Sequence, residues 1–174
     1  INKDTGRLYK TPELFLYPSI TLILSASKSK ELIEWRKAVG EARANDIANR
    51  AAKRGTNIHI LAEQYLLNIS LQYKNFILKD TFLRFKKVLD KINNIRLLES
   101  RLYSDIYKIA GAVDCVADYE DVLSIIDFKT SNSRKYESMI ENYFIQTYAY
   151  KIMFEERYNI EIKNLVVLIS VDHD

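Results

Sequence analysis

Gly111-Ala112-Val113-Asp114, followed after a polar turn by Ile125-Ile126-Asp127-Phe128-Lys129-Thr130, decides how the rest of this chain is read. Two runs rich in β-branched and aliphatic residues, Ile109 to Asp118 and Val122 to Thr130, flank Tyr119-Glu120-Asp121, which is the pattern of a β-hairpin. A short loop centred between Glu120 and Asp121 sets the register: Asp118 faces Leu123, and Asp114 faces Asp127. Alternation then puts Ala112, Asp114, Val116, Leu123, Ile125, Asp127 and Lys129 on one face. Val113, Cys115, Ala117, Ile126 and Phe128 take the other, which reads as core.

Directly opposed side chains have Cβ atoms about 4.5–5.5 Å apart, and like charges there are destabilising. A hard divalent cation shared by both carboxylates removes that cost, and Mg²⁺ is commonly held by one or two carboxylates with water and phosphate in the remaining positions. Lys129 falls on the same face. An ammonium there can orient a water and stabilise charge developing on a phosphate. A solvated Asp/Lys cluster is the bland alternative, and it does not account for Asp114 lying in register within an otherwise apolar hairpin.

Gly111-x-x-Asp114 with Asp127-x-Lys129-Thr130 resembles the core motif of the PD-(D/E)XK nucleases, in the form found in the RecB-like exonuclease branch. Val113 stands where the superfamily's name has a proline, a departure that branch tolerates. Three further stretches extend the resemblance. Arg54-Gly55-Thr56-x-x-His59-x-x-x-Glu63 resembles the helix that brings a histidine to the metal, with Glu63 a partner behind it. Gln146-x-x-x-Tyr150 resembles a motif whose glutamine and tyrosine help align substrate and catalytic face. Glu99 occupies the place of an acid that can complete the site.

The resemblance implies an α/β fold of the mixed α+β kind, a PD-(D/E)XK core of order αβββαβ with a mixed sheet, flanking helices and an N-terminal helical extension. It also implies a Mg²⁺- or Mn²⁺-dependent deoxyribonuclease. The implied ligands are His59, Asp114, Asp127 and the Phe128 carbonyl, with Lys129 positioning the attacking water. Within that branch the likeness is to mitochondrial and phage exonucleases, so the expected substrate is single-stranded DNA in recombination or processing. An endonuclease on the same core and a non-catalytic nucleic-acid-binding module stay open as alternatives.

Composition frames this reading. The chain has 174 residues, 48% hydrophobic and 28% charged, enough for one substantial core, and one domain over 1–174 is expected: mainly helical to 94, β-β-β-α-β thereafter. A net charge of +3 permits nucleic-acid binding without the strongly basic footprint of a DNA-coating protein. One cysteine, Cys115, excludes an internal disulfide and argues against a four-cysteine iron–sulfur cluster. It reads as a buried thiol in a reducing compartment, the cytoplasm of a bacterium or phage-infected cell, or a mitochondrion. No apolar run is long enough for a membrane helix, and no signal peptide is recognisable. The missing initiator Met and the end at Asp174 suggest trimmed termini.

Taken in order, Tyr17-Pro18-Ser19-Ile20-Thr21 reads as an extended entry, because the residue before proline is pushed towards β geometry. Ser27 or Ser29 is expected to cap a helix from Lys30 to Val39, with Leu32, Ile33 and Trp35 inward and Gly40 at its end. Trp35 reads chiefly as a core anchor; with Arg36 it is also a weak candidate DNA contact. A second helix, Glu41 to Lys53, closes at Gly55, and its Arg50, Lys53 and Arg54 are either a solvated face or a phosphate-positioning surface. Thr56 caps a third, in which Ile58, Leu61, Ala62, Tyr65 and Leu66 form one buried stripe, and His59 in its first turn is held neutral, as a metal requires. A helix capped near Asp80 carries Phe82, Phe85, Leu89 and Ile92 on its apolar side. Ile95 to Tyr103 is a strand. A helix from Glu137 to Arg157 and a buried strand from Leu165 to Val171 close the pattern.

Overall fold

The computed structural model describes residues 7–26 and 30–172. The chain forms two compact units that alternate along the sequence: Ile1–Ser27, Ile92–Asp127 and Tyr136–Val167 make the first, and Lys28–Lys91, Phe128–Lys135 and Leu168–Asp174 the second. The expected α+β architecture is present. A four-stranded sheet has the order β3-β4-β5-β6, with β3 Ile92–Ser104, β4 Ile109–Tyr119, β5 Val122–Ser131 and β6 Asn164–Val171. Strands β3, β4 and β5 are antiparallel neighbours. Hydrogen bonds from Lys163 N to Leu123 O and from Asp172 N to Ser131 O advance together along both chains, so β6 runs parallel to β5 and the sheet is mixed.

In the first unit the β4–β5 loop is the one expected. Glu120 and Asp121 both take positive φ, 49° and 65°, the backbone of a two-residue type I′ hairpin. The pairs run from Tyr119↔Val122 through Asp118↔Leu123 to Cys115↔Ile126. Helix α5, Glu141–Tyr158, enters through a 3₁₀ turn at Glu137–Met139 and lays Ala149, Tyr150, Met153 and Phe154 into a cluster with Leu102, Val113, Val116 and Ile125. Strict alternation fails here. Val113 was expected opposite Val116 and Ile125 but joins them, and Gly111, two residues before it, faces Tyr150 and Ile20. The break coincides with Glu99 and Asp114, where the β3–β4 ladder skips a pair between Leu98↔Cys115 and Ser100↔Val113.

The N-terminal entry is only partly extended. Strands β1, Leu8–Lys10, and β2, Leu16–Pro18, pair antiparallel, and α1, Ile20–Ala26, follows at once because the Ser19 hydroxyl accepts from Leu22 N at 3.0 Å as an N-cap. Ile20 and Thr21 are therefore helical. Strand β3 begins at Ile92, which the sequence reading had assigned to the preceding helix.

In the second unit α2, Lys30–Val39, has the expected bounds and Gly40 ends it at φ 85°. The expected cap, Ser27 or Ser29, lies outside the described residues. Leu32, Ile33 and Trp35 are not inward; they are 38–44% exposed. The two helices expected on either side of Gly55 are one, α3, Glu41–Leu66. Gly55 keeps a negative φ, and the Thr56 hydroxyl, instead of capping, donates back to Ala52 O at 3.0 Å. Helix α4, Phe76–Leu89, is capped by Asn75, whose side chain accepts from Leu78 N at 2.8 Å, and not near Asp80. Phe82, Phe85 and Leu89 of α4 are buried with Ile58, Leu61 and Ala62 of α3, and Phe85 meets Phe128 edge to face at 6.1 Å between centroids.

Candidate functional site

Three adjacent strands of the sheet each carry an acid: Glu99 in β3, Asp114 in β4 and Asp127 in β5. Asp127 in β5 is wholly buried and Asp114 in β4 is 8% exposed. The β4–β5 pairs run up to Cys115↔Ile126, and Asp114 and Asp127 are the next residue on each strand. On the other side, Glu99 of β3 stands at the skipped rung beside Asp114. Glu99 is held at φ 45°, a conformation that costs a non-glycine residue on the order of 1–3 kcal/mol. Its side chain is exposed.

Neighbouring groups register these charges. Burial, then the Asp114 and Glu99 carboxylates, push the Cys115 thiol up to about 12, so it is an inert thiol and no nucleophile. Burial raises the Tyr150 phenol; its hydrogen bond with Gln146 opposes this, and the charges of Asp127 and Asp114 raise it further. Tyr150 therefore keeps its proton. Gln146 Nε2 donates to the Tyr150 oxygen at 3.1 Å, which leaves the phenolic hydrogen available to donate. Two buried carboxylates on adjacent strands offer hard oxygen donors, a set that suits Mg²⁺ or Mn²⁺ and not a soft-metal site.

Gly111 makes room for this arrangement. A Cβ there would lie 2.7 Å from Tyr150 Cε1 and 3.4 Å from Ile20 Cγ2. Gly111→Ala is expected to destabilise the protein by about 1–3 kcal/mol, the usual cost of overpacking. Urea unfolding measures it, and an unchanged midpoint would mean that the Tyr150 ring gives way freely.

The second unit holds the other expected site residues. His59 lies in the body of α3, not in a first turn, so no helix end acts on its imidazole. Its Nε2 is 2.8 Å from the Phe128 carbonyl oxygen. That is a hydrogen-bond distance; it is also close to the ~3.0 Å edge of an octahedron with metal–ligand bonds of about 2.1 Å, so the pair can serve as adjacent ligands. Glu63, one turn on, and Lys129 in β5 are half-buried. Arg54 is tied to Asp172 at 3.0 Å and to Asn132. Arg50 pairs with Asp46 at 2.7 Å, both exposed, and Lys53 is exposed. Arg36 is held by Glu41 and Asn45, beside an exposed Trp35.

Two adjoining clefts between α3 and α4 add Asn57, Gln64, Gln72 and Tyr73, which the sequence reading did not single out, to Arg50, Lys53 and Arg54, which it did. One of about 300 Å³ is lined by Arg50, Lys53, Arg54 and Asn57; the other, of about 280 Å³, by Asn57, Gln64, Gln72 and Tyr73.

No family model matches the chain. It is similar to the protein named mitochondrial genome maintenance exonuclease 1 in three animals. Identity is 26% to that of Xenopus tropicalis, over 88% of this chain and 48% of the relative. It is 24% to that of Homo sapiens, over 68% and 38%, and 28% to that of Mus musculus, over 48% and 25%. The chain thus spans less than half the length of these relatives. The likeness supports a resemblance to nucleases. Among the described residues no helix is long and apolar enough to cross a membrane.

Proposed function

We propose that the chain, with residues 1–174 acting as one nuclease domain of the PD-(D/E)XK type and RecB-like branch, is a metal-dependent deoxyribonuclease that digests single-stranded DNA from an end. DNA recombination or processing, in a bacterial or phage-infected cell or a mitochondrion, is the setting proposed. The observation that carries this reading is that Asp114 and Asp127 are both buried on adjacent strands, with Glu99 on the third, in a chain similar to proteins named exonucleases.

Asp114 and Asp127 would hold the cation, Mg²⁺ or Mn²⁺, with His59 and the Phe128 carbonyl as further ligands, Glu99 as a weaker one and Glu63 supporting His59. When bound, such an ion supplies neutralising charge for a phosphate and lowers the pKa of a water. Lys129, two residues beyond Asp127 in the same strand, positions the attacking water and stabilises charge building on the phosphate oxygens. Water oxygen bonds to phosphorus, the bond to the 3′ oxygen breaks, and that oxygen takes a proton. The products are a 5′-phosphate and a 3′-hydroxyl. Tyr150, still protonated and oriented by Gln146, donates a hydrogen bond that aligns the reacting face.

The experiment compares linear and circular single-stranded DNA, each with Mg²⁺ and with EDTA. Linear DNA is expected to be degraded in Mg²⁺ alone, with circles intact. Cleaved circles would make the enzyme an endonuclease, and inertness towards both substrates in Mg²⁺ and Mn²⁺ would leave a binding module.

A further inference from the structure

One stripe of α3 is built to touch something extended. Arg50, Lys53, Arg54, Asn57, Leu61 and Gln64 recur three or four residues apart, which keeps them on one side of the helix. Arg50 to Gln64 spans about 21 Å at 1.5 Å per residue, several times the ~3.4 Å that one nucleotide of a stacked strand occupies. The two clefts lie along this stripe and share Asn57 and Leu78.

Their chemistry differs from end to end. The Arg50 end carries three cations, of which Arg54 engages Asp172 through NH1 and Arg50 pairs with Asp46. Arg54 Nε remains a buried donor with no partner among the described residues. The Gln64 end carries amides and an aromatic ring. Gln64 Oε1 is a buried acceptor with no partner among the described residues, Gln72 and Tyr73 line the same cleft, and Lys74 Nζ donates to Asn57 Oδ1 at 2.7 Å where the two clefts meet. The cations of one end and the amides and ring of the other define what fits. The cations suit a phosphate. The amides, beside a tyrosine ring, suit the edge of a stacked base.

We propose that the groove between α3 and α4 seats a short stretch of single-stranded DNA, one phosphate against Arg50, Lys53 and Arg54 and a base further along the strand against Tyr73, Gln64 and Gln72. This rests on the reading of the chain as a nuclease of single strands, and it adds a positioning groove to that reading.

Binding is measured in EDTA by fluorescence anisotropy, with a short labelled single-stranded deoxyoligonucleotide and with an abasic strand of equal length. The parent is expected to bind the abasic strand about tenfold more weakly, the scale of one lost stacking contact. Tyr73→Ala should bind both strands alike, while Tyr73→Phe, which keeps the ring, should preserve the preference. Lys53→Ala, at an exposed position where substitution costs little stability, should weaken both strands equally and reduce the slope of log affinity against log salt by about 0.7. A Tyr73→Ala variant that still discriminates as the parent does, or an unchanged salt slope for Lys53→Ala, would overturn the proposal. Because binding is read without metal, it stays readable if the chain cleaves nothing. Absence of cleavage with these binding effects intact counts against the proposed activity alone.

Discussion

Asp114→Asn is expected to lose essentially all cleavage, with kcat down on the order of a thousandfold or more. Charge stabilisation by a bound cation contributes several kcal/mol to the transition state, and each 1.36 kcal/mol is a factor of ten. Asparagine keeps the shape of the side chain and removes the charge that would bind the ion. Initial rates on linear single-stranded DNA at saturating Mg²⁺ make the comparison. Activity within tenfold of the parent would remove Asp114 from the metal site. Affinity for single strands in EDTA should be no weaker than the parent's, since the lost group is acidic.

Lys129→Ala is expected to lower kcat by about 10²–10³, the scale seen when one preorganised donor to a developing charge is removed. DNA affinity should change little, because it is spread over many phosphate contacts on the surface. That split between chemistry and binding is the signature of an interaction made in the transition state. Single-turnover rates alongside anisotropy separate the two. An equal loss of binding and cleavage would make Lys129 a DNA contact and leave the attacking water without its positioning group.

Much of the sheet was legible because its signals are local. Apolar runs either side of Glu120-Asp121 specified a two-residue turn, and the register followed, five consecutive pairs as expected. What failed depends on partners distant in sequence. Alternation through Val113 breaks where Glu99, on the neighbouring strand, leaves the regular β conformation. Gly55 and Thr56 are a local stop-and-cap signal, yet the chain passes through them as helix. A Cβ at Gly55 would meet Thr130 Oγ1 at an ordinary 3.6 Å, so crowding does not require the glycine. The apolar stripe of α2 was visible, but periodicity says which side chains align and not what covers them, and Trp35 stays exposed.

The candidate site divides the same way. Gln146 with Tyr150 was readable from helical spacing, and the β4–β5 register was readable as far as Cys115↔Ile126, one residue short of Asp114 and Asp127, whereas the Glu99 backbone and the Tyr150–Gly111 contact needed coordinates. The α3–α4 groove was missed for one reason. Splitting α3 at Gly55 cut the stripe between Arg54 and Asn57, and without a continuous helix Arg50 and Gln64 have no common face.

Thermal unfolding of the parent and Asp114→Asn, each with EDTA and with excess Mg²⁺, tests most directly whether Asp114 and Asp127 form a cation site. Two carboxylates roughly 5 Å apart repel by about 3 kcal/mol at an effective dielectric of 20, and solvent reduces this. Removing one charge should therefore leave the variant's Tm in EDTA equal to or above the parent's. Mg²⁺ binds only the folded state, so it should raise the parent's Tm and raise the variant's much less. A variant that melts well below the parent in EDTA, with Mg²⁺ shifting both equally, would make Asp114 a structural residue and contradict the metal site.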